Sequence, residues 1–178
     1  MWEKRGGAMA GIPQNPDAYR VRPKMPDYGI TPDSAGMLDW AWVTNQMTQS
    51  RNYCVCSTQP DDRPHAAPVW GVWADETLYF STSRSSRKGR NLANSPDVMI
   101  HLESGDDVVI LEGTVVETSD RILLTRITEL YGAKYPFKPD PEVEPGNVWY
   151  FVAVRAALAW RESDFPKTAT RWVFDHVQ

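Results

Sequence analysis

The chain has 178 residues, of which 42% are hydrophobic and 24% are charged, and its formal net charge is -4. This length and composition predict one globular domain with a full hydrophobic core. The acidic balance argues against a protein that follows a nucleic acid along a broad basic surface, because contacts with phosphates require clustered positive charge. We therefore expect no nucleic-acid partner.

The sequence also argues against a membrane partner. Its apolar runs, such as Val108 to Leu111, are bounded by charge or glycine and fall far short of the roughly 20 residues that span a bilayer. Met1 to Gly7 is charged and glycine-rich without an apolar stretch behind it, which differs from a secretory signal. We expect a cytoplasmic protein.

Residues 1–33 are rich in proline and poor in aliphatic side chains. Such a segment cannot form a core of its own, so we expect an extended N-terminal arm that either wraps the body or stays mobile. Regular structure is predicted from residue 34 to residue 178. Its first element is a helix from Ser34, a candidate N-cap, to Arg51.

After this helix the hydrophobic period changes from 3.6 to 2. Three β-rich runs separated by acidic turns follow, and they predict an antiparallel meander over 53–58, 65–73 and 77–82. We interpret Cys54 and Cys56, which lie two apart on the first run, as reduced structural thiols. A zinc site would need two more ligands at suitable spacing, and the sequence shows no second Cys or His pair, so we predict no metal site.

The second half of the chain alternates helices and strands. Predicted helices cover 86–94 and, after the cap Ser119, a stretch to about Lys134. Predicted strands are 98–102, 108–118, 148–160 and 170–174. Six or seven strands with helices between them predict a mainly β fold, namely a closed or nearly closed antiparallel barrel with peripheral helices.

The stretch LYFSTSRSSRKGRNL, residues 78–92, carries the clearest functional signal. A strand is predicted to end at Ser81 and Thr82 and a helix to begin at Ser86, and free N–H groups at such a helix start bind anions. Arg87 and Lys88 lie in the first helical turn, where the helix dipole disfavours cations unless an anion compensates. The alternative is a solvated basic helix face.

The residues Thr82, Ser86, Arg87 and Lys88 of TSRSSRK resemble the TNxxSRK segment of the pyridoxamine 5'-phosphate oxidase-like split β-barrel family, which holds flavin phosphate. Three further segments occur in that family's order and spacing, namely RPHAAPVWGVW, LANSP and DVVILEG. The resemblance therefore covers residues 38–174. It implies a split antiparallel β-barrel that holds the cofactor phosphate at this turn, with Ser81 beside it.

Within that family, the sequence resembles the flavin/deazaflavin oxidoreductase group, many of whose members use coenzyme F420. The segments that carry this resemblance are PHAAPVWGVW, HLESGD and ATRWVF. This resemblance implies a homodimer with two equal cofactor sites at the subunit interface. It places the cofactor ring along His65, Ala66, Ala67, Pro68, Val69 and Trp70. Arg171 and Trp172 would reach the partner's cofactor, although packing at a strand end explains them equally well.

The chain also departs from the family's oxidase pattern, which has Arg and Lys at the ends of the ring-binding segment and Gln near Val108. This sequence has His65, Trp70 and Val108 instead. Because a phosphorylated substrate needs charged anchors, we expect no oxidation of pyridoxamine phosphate.

The function implied by the resemblance is an F420-dependent oxidoreductase that transfers hydride between deazaflavin and an unsaturated small-molecule substrate. Two alternatives remain open, an FMN-dependent enzyme and a non-catalytic protein that binds flavin or another apolar ligand. We assign no catalytic side chain, because the cofactor supplies the chemistry.

Overall fold

The computed structural model describes residues 12–174. Over these residues the chain forms one antiparallel sheet with short helices packed around it. The strands are β1 (Arg20–Val21), β2 (Tyr53–Thr58), β3 (Pro64–Val69), β4 (Gly71–Ala74), β5 (Thr77–Ser83), β6 (Asp97–His101), β7 (Asp107–Thr118), β8 (Asn147–Arg161) and β9 (Thr170–Val173). The α-helices are α1 (Trp40–Gln49), α2 (Arg87–Asn94), α3 (Arg121–Lys134) and α4 (Phe165–Thr168). None of the helices in this part of the chain is long and apolar enough to cross a membrane.

The sheet closes into a barrel because β3 and β4 are joined through a single residue, Trp70. The strand order runs β1-β9-β8-β7-β6-β2-β3, while β4 pairs with β5 and β5 pairs with β8. The strand β8 is shared, since its residues 147–151 pair with β5 and its residues 156–159 pair with β9. The predicted mainly β fold, a split barrel with peripheral helices, is confirmed.

Two hydrophobic clusters fill the molecule. The larger lies inside the barrel and contains the fully buried side chains of Tyr53, Phe80 and Leu111. The smaller packs α3 against β4, β5 and β8, with Leu124 and Ile127 at its centre. Burial of alternate residues along β2 is the period-2 pattern expected of a strand with one face in the core.

Three predicted element boundaries are wrong. The first helix begins at Trp40 instead of Ser34, because Asp39 accepts the Trp42 N–H at 2.8 Å and Gly36, with a φ of 83°, holds a turn before it. The third helix is capped by Asp120 and not by Ser119. The predicted strand 65–73 is two strands, β3 and β4, which are separated at Trp70.

The described part of the N-terminal segment runs against the body of the protein. Arg20 and Val21 pair with β9, and the Asp17 carboxylate accepts hydrogen bonds from the Trp40 backbone at 2.9 Å and from the Trp172 indole at 3.3 Å. Arg22 donates to four backbone carbonyls, those of Asp33, Ala35, Lys167 and Ala169. Residues 1–11 of the predicted arm, with the predicted non-signal segment Met1 to Gly7, lie outside the described residues, as do 175–178.

The close packing of α2 against the end of β5 can be tested with a glycine substitution. A Cβ at Gly89 would lie 2.2 Å from the Ser83 carbonyl oxygen, whereas a Cβ at Gly105 would meet nothing within 4 Å. We therefore expect Gly89→Ala to lower the free energy of unfolding by about 1–3 kcal/mol, the usual cost of overpacking. Urea unfolding should show Gly105→Ala within about 0.5 kcal/mol of wild type, and equal effects of the two variants would contradict this packing.

Candidate functional site

The turn between β5 and α2 is built from hydroxyl groups. The Ser86 hydroxyl donates to the Ser83 carbonyl at 2.8 Å and accepts the Gly89 N–H at 2.9 Å, which makes Ser86 the N-cap of α2. Thr82 Oγ1 lies 3.1 Å from the same hydroxyl. The N–H groups of Arg87 and Lys88, the first two residues of the helix, have no intrahelical acceptor. The turn therefore presents donors and the positive end of a helix dipole at one place.

Lys88 is the cation that this turn partly buries. Its ammonium nitrogen lies 6.0 Å from the centre of the Phe80 ring, and burial lowers its pKa. Among residues 12–174 it forms no ion pair with a carboxylate. Removing a charge from water without a counter-ion costs free energy, so an anion bound at Lys88 would offset that cost.

The neighbouring cations of this segment have other environments. Arg84 pairs with Glu117, and Arg90 donates to the carbonyl of Ser85. Arg87 is exposed. Lys88 therefore differs from the arginines around it in being both partly buried and without a carboxylate.

The helix α2 is tied to β2, the strand that pairs with β3. The buried Asn91 side chain donates to the buried Ser57 hydroxyl at 3.2 Å, and Ser57 is the register partner of His65 on β3. His65 Nδ1 is buried and has no hydrogen-bond partner among the described residues. Since buried polar atoms are almost always paired, this nitrogen is free to bind a ligand or water.

The predicted ring-binding segment divides between two faces of the sheet. The inward face of the sheet, which carries the buried residues of β2, also carries His65, Ala67 and Val69. These three residues are the register partners of Ser57, Val55 and Tyr53. Ala66 and Pro68 are exposed on the opposite face. Over the described chain β3 ends the order of the main sheet, so its second edge leaves backbone N–H and C=O groups open. A flat ring could contact this edge and one face, but not all six predicted residues.

Trp70 is held at the bend between β3 and β4 by residues that the sequence analysis missed. Its ring stacks on Tyr135, with centroids 4.8 Å apart and planes inclined by 10°. The Tyr135 hydroxyl accepts the Gly71 N–H at 3.0 Å and donates to the Arg51 carbonyl at 2.6 Å. Tyr135 is the C-cap of α3, and its ring centroid lies 4.6 Å from that of Tyr131 in the last turn of the helix. The i, i+4 spacing of the two tyrosines is the signal in the sequence that they lie close together.

Lys134 also stabilises the bend between β3 and β4. Its ammonium donates to the Tyr53 hydroxyl at 2.7 Å and to the Gly71 carbonyl at 3.1 Å. Burial, assisted by the nearby Arg51 guanidinium, lowers the pKa of Lys134 to about 8. A partly buried lysine with such a pKa is a recognised sign of a functional region, but its contacts here fix the backbone next to the ring-binding segment.

The remaining predicted site residues lie elsewhere. Ser81 lines a pocket of about 640 Å³, partly open to solvent, whose wall includes Asp140, Glu142 and Glu144, and this acidic lining would repel an anion. Arg171 hydrogen-bonds to Glu112 at 3.3 Å. Trp172 is fully buried against Trp40.

The structure does not bring Arg171 and Trp172 to the Ser86 turn. Thr82 pairs with Val148 and Arg171 pairs with Leu158, and those two partners lie roughly 30 Å apart along an extended β8. Within one chain, Thr82, Ser86 and Lys88 therefore lie close together. Asn91 connects their helix to Ser57 on β2, and Ser57 pairs with His65 on β3.

Comparison with known proteins places this geometry in a family context. The family model described as Pyridoxamine 5'-phosphate oxidase matches residues 43–161. These residues contain the Ser86 turn, β3 and the Trp70 bend. No curated protein matches the sequence.

Solved structures share the fold at low sequence identity. The conserved hypothetical protein Rv2991 of Mycobacterium tuberculosis has a TM-score of 0.62 and 22% identity, over 72% of this chain and 88% of that protein. A NimC/NimA family protein of Clostridium acetobutylicum has a TM-score of 0.59 and 10% identity, over 78% and 96% of the two chains. General Stress Protein 26 of Bacillus anthracis str. Sterne has a TM-score of 0.55 and 21% identity, over 67% and 91%. At these identities the likeness shows the fold alone.

The Lys134 contacts predict a pH dependence of stability. Because the pKa of Lys134 falls from 10.5 to about 8 on folding, the unfolded chain binds more protons between these values, and the free energy of unfolding should rise with pH there. The pKa of Tyr131 is raised to about 12, so its ionisation in the unfolded chain opposes the rise above about pH 10.

Urea unfolding between pH 8 and 10 measures this rise. We expect Lys134→Met to flatten it, since the titrating group is gone. The control Lys138→Met removes an exposed lysine that pairs with Glu129 at 2.6 Å, and it should keep the wild-type slope. A slope that is the same in wild type and Lys134→Met would contradict the buried position of this ammonium.

Proposed function

This chain belongs to the pyridoxamine 5'-phosphate oxidase family, and we propose that it is an oxidoreductase that uses the deazaflavin F420 to transfer hydride to or from an unsaturated small molecule. The observation that supports the proposal most is the partly buried Lys88 ammonium, which has no carboxylate partner in the described chain and lies in the first turn of the helix capped by Ser86.

The anionic tail of the cofactor would bind at this helix start. A phosphate there would accept hydrogen bonds from the N–H groups of Arg87 and Lys88 and from the Ser86 or Thr82 hydroxyl. The Lys88 ammonium would give a charge-assisted bond, stronger than a neutral one. The exposed Arg87 side chain could turn toward the same anion, because no ion pair within the described residues holds it.

The ring would lie along β3. The small side chains of Ala66 and Pro68 leave that strand open to a flat ligand, and the free edge of β3 offers backbone donors and acceptors to the polar rim of the ring. The unpaired His65 Nδ1 supplies one more polar contact. The stacked pair Trp70 and Tyr135 would fix one end of the ring site and exclude water from it.

The bound deazaflavin or flavin supplies the hydride chemistry, so the residues of this chain have supporting roles. Ser86 and Lys88 bind the tail, β3 orients the ring, and the Lys134 contacts hold the bend that shapes the strand. Preorganisation of this kind lowers the entropic cost of reaching the reactive geometry. Oxidation of pyridoxamine phosphate is not proposed, because His65 and Trp70 replace the cations of the oxidase pattern.

We also propose a cytoplasmic homodimer without a nucleic-acid or membrane partner, with an N-terminal arm over 1–33 and a cofactor-binding domain over 34–178. Arg171 lies too far from the Ser86 turn of its own chain to contact that cofactor, so a role for it requires a second subunit. Trp172, being fully buried, would act there only by positioning β9. Met99 and Ala66, exposed on the outer face of the barrel, provide apolar surface for such a contact.

FMN is the second candidate cofactor, because the family model that matches is described as Pyridoxamine 5'-phosphate oxidase and the resemblance to that family implies a flavin phosphate at this turn. FMN would place its phosphate at the same Ser86 turn. The two cofactors are therefore distinguished by their measured affinities and not by the position of the anion.

The cofactor proposal is tested by titrating the protein with F420 and FMN separately. We expect F420 to bind more tightly and Lys88→Met to weaken its binding by about 1–3 kcal/mol, the worth of a charge-assisted bond. The control Lys24→Met removes an exposed lysine of the N-terminal segment and should leave the affinity unchanged.

Three outcomes would contradict parts of the proposal. Tight FMN binding without F420 binding would replace the cofactor. Equal F420 affinities of wild type and Lys88→Met would remove the phosphate site. Tight binding with no consumption of reduced cofactor across a panel of enones and other unsaturated acceptors would indicate a binding protein instead of an enzyme.

A further inference from the structure

Two cysteines and a histidine meet on the outer face of the barrel. Cys54 and Cys56 lie on β2, and His101 lies on β6, where it is the register partner of Cys54. Their ligand atoms, two Sγ atoms and an imidazole nitrogen, all lie within 4.8 Å of one another, and all three side chains are half-buried. Both cysteines are free.

We propose that Cys54, Cys56 and His101 bind a thiophilic metal ion, Zn(II) or Cu(I). Thiolate sulfur and imidazole nitrogen are the ligands that these ions prefer. The proposal does not rest on the proposed cofactor function. The cysteines face away from the buried side of β2 that Ser57 shares with the α2 contact, and they share the outer face with their register partners Pro68 and Ala66.

The hydrogen bond of His101 leaves one ring nitrogen, Nε2, free. Its Nδ1 lies 2.8 Å from the Leu102 carbonyl oxygen. Since a carbonyl can only accept, Nδ1 carries the proton and Nε2 keeps its lone pair for a metal. A hydrogen bond of this kind, from the other ring nitrogen to a backbone carbonyl, is what orients most metal-binding histidines.

The distances suit a small tetrahedral ion. Zinc with bonds of about 2.3 Å to sulfur and about 2.0 Å to nitrogen places neighbouring ligand atoms about 3.5–4 Å apart, which the present spacing reaches by small side-chain rotations. Because β2 and β6 are paired through Cys54, Val55 and Cys56, the backbone that carries the ligands is rigid.

Met99 is positioned to provide a fourth ligand. It is the register partner of Cys56 on β6, so the two side chains are direct cross-strand neighbours on the same face. Met99 is 43% exposed, so its thioether is accessible on the outer face of β6. A thioether is a soft ligand that suits Cu(I) better than Zn(II), so Met99 separates the two ions.

A disulfide explains the cysteine pair less well than a metal does. Residues two apart on one strand have Cα atoms about 6.6 Å apart, near the upper limit for an S–S bond. A disulfide would also leave His101 and its oriented nitrogen without a role.

The test is titration of the reduced full-length protein with Zn(II) and, separately, with Cu(I), each against a chelator of known affinity. We expect one ion per chain. We expect the metal affinity to fall at least tenfold in each of the variants Cys54→Ser, Cys56→Ser and His101→Gln. Even the loss of a residue that only hydrogen-bonds to a metal ligand costs about 10–100-fold. The control His65→Gln makes the same change on the neighbouring strand β3 and should bind metal as wild type does.

Met99→Leu identifies the ion. A loss of Cu(I) affinity with unchanged Zn(II) affinity indicates a copper site, whereas unchanged affinities for both assign the site to the three-residue set. The proposal is overturned if wild type fails to bind either ion stoichiometrically, or if the Cys and His variants bind as wild type does. Metal-free thermal unfolding of each variant shows whether it is folded, and any one folded ligand variant is enough to decide.

Discussion

The proposed cofactor site depends on one charge that has no counter-ion in the described part of the protein, the ammonium of Lys88. Lys88 is partly buried beside Phe80 at the start of α2 and has no carboxylate partner in the described chain. The helix dipole and the uncapped N–H groups at the same place add to the positive potential. A protein can retain such an arrangement when a ligand supplies the missing negative charge, and this is the reason for assigning the turn to an anionic cofactor.

The barrel holds this charge next to an open strand. The β5–β8 pairing fixes where β5 ends, and the Asn91 to Ser57 hydrogen bond fixes α2 against β2. The Lys134 and Tyr135 contacts then hold the bend where β3 becomes β4. The proposed tail site, at the turn after β5, and the proposed ring site, on β3, are therefore connected through one sheet.

Local features of the site could be predicted from the sequence because they depend on neighbouring residues. The cap Ser86 follows from a strand, turn and helix pattern within a few residues, and the strand Tyr53–Thr58 follows from its period-2 alternation. The start of α1 was misplaced because Ser34 and Asp39 are both acceptable caps and only the packed structure shows that Gly36 forms a turn between them.

Contacts between distant residues could not be predicted in this way. Nothing near Cys54 in the sequence indicates that His101 lies opposite it, so the search for metal ligands by spacing found no set. The stacking of Tyr135 on Trp70 and the burial of Trp172 likewise depend on strand order. The resemblance to a family gave the fold, but not the division of His65 to Trp70 between two faces, which follows from the β2–β3 register.

A crystal structure of the protein with F420 bound would show directly whether Lys88 binds the cofactor phosphate. We expect a phosphate oxygen of the cofactor within hydrogen-bond distance of the Lys88 ammonium and of a donor in the Thr82 to Ser86 turn, with the ring against β3. A cofactor phosphate bound elsewhere, with Lys88 still lying unpaired against Phe80, would contradict it.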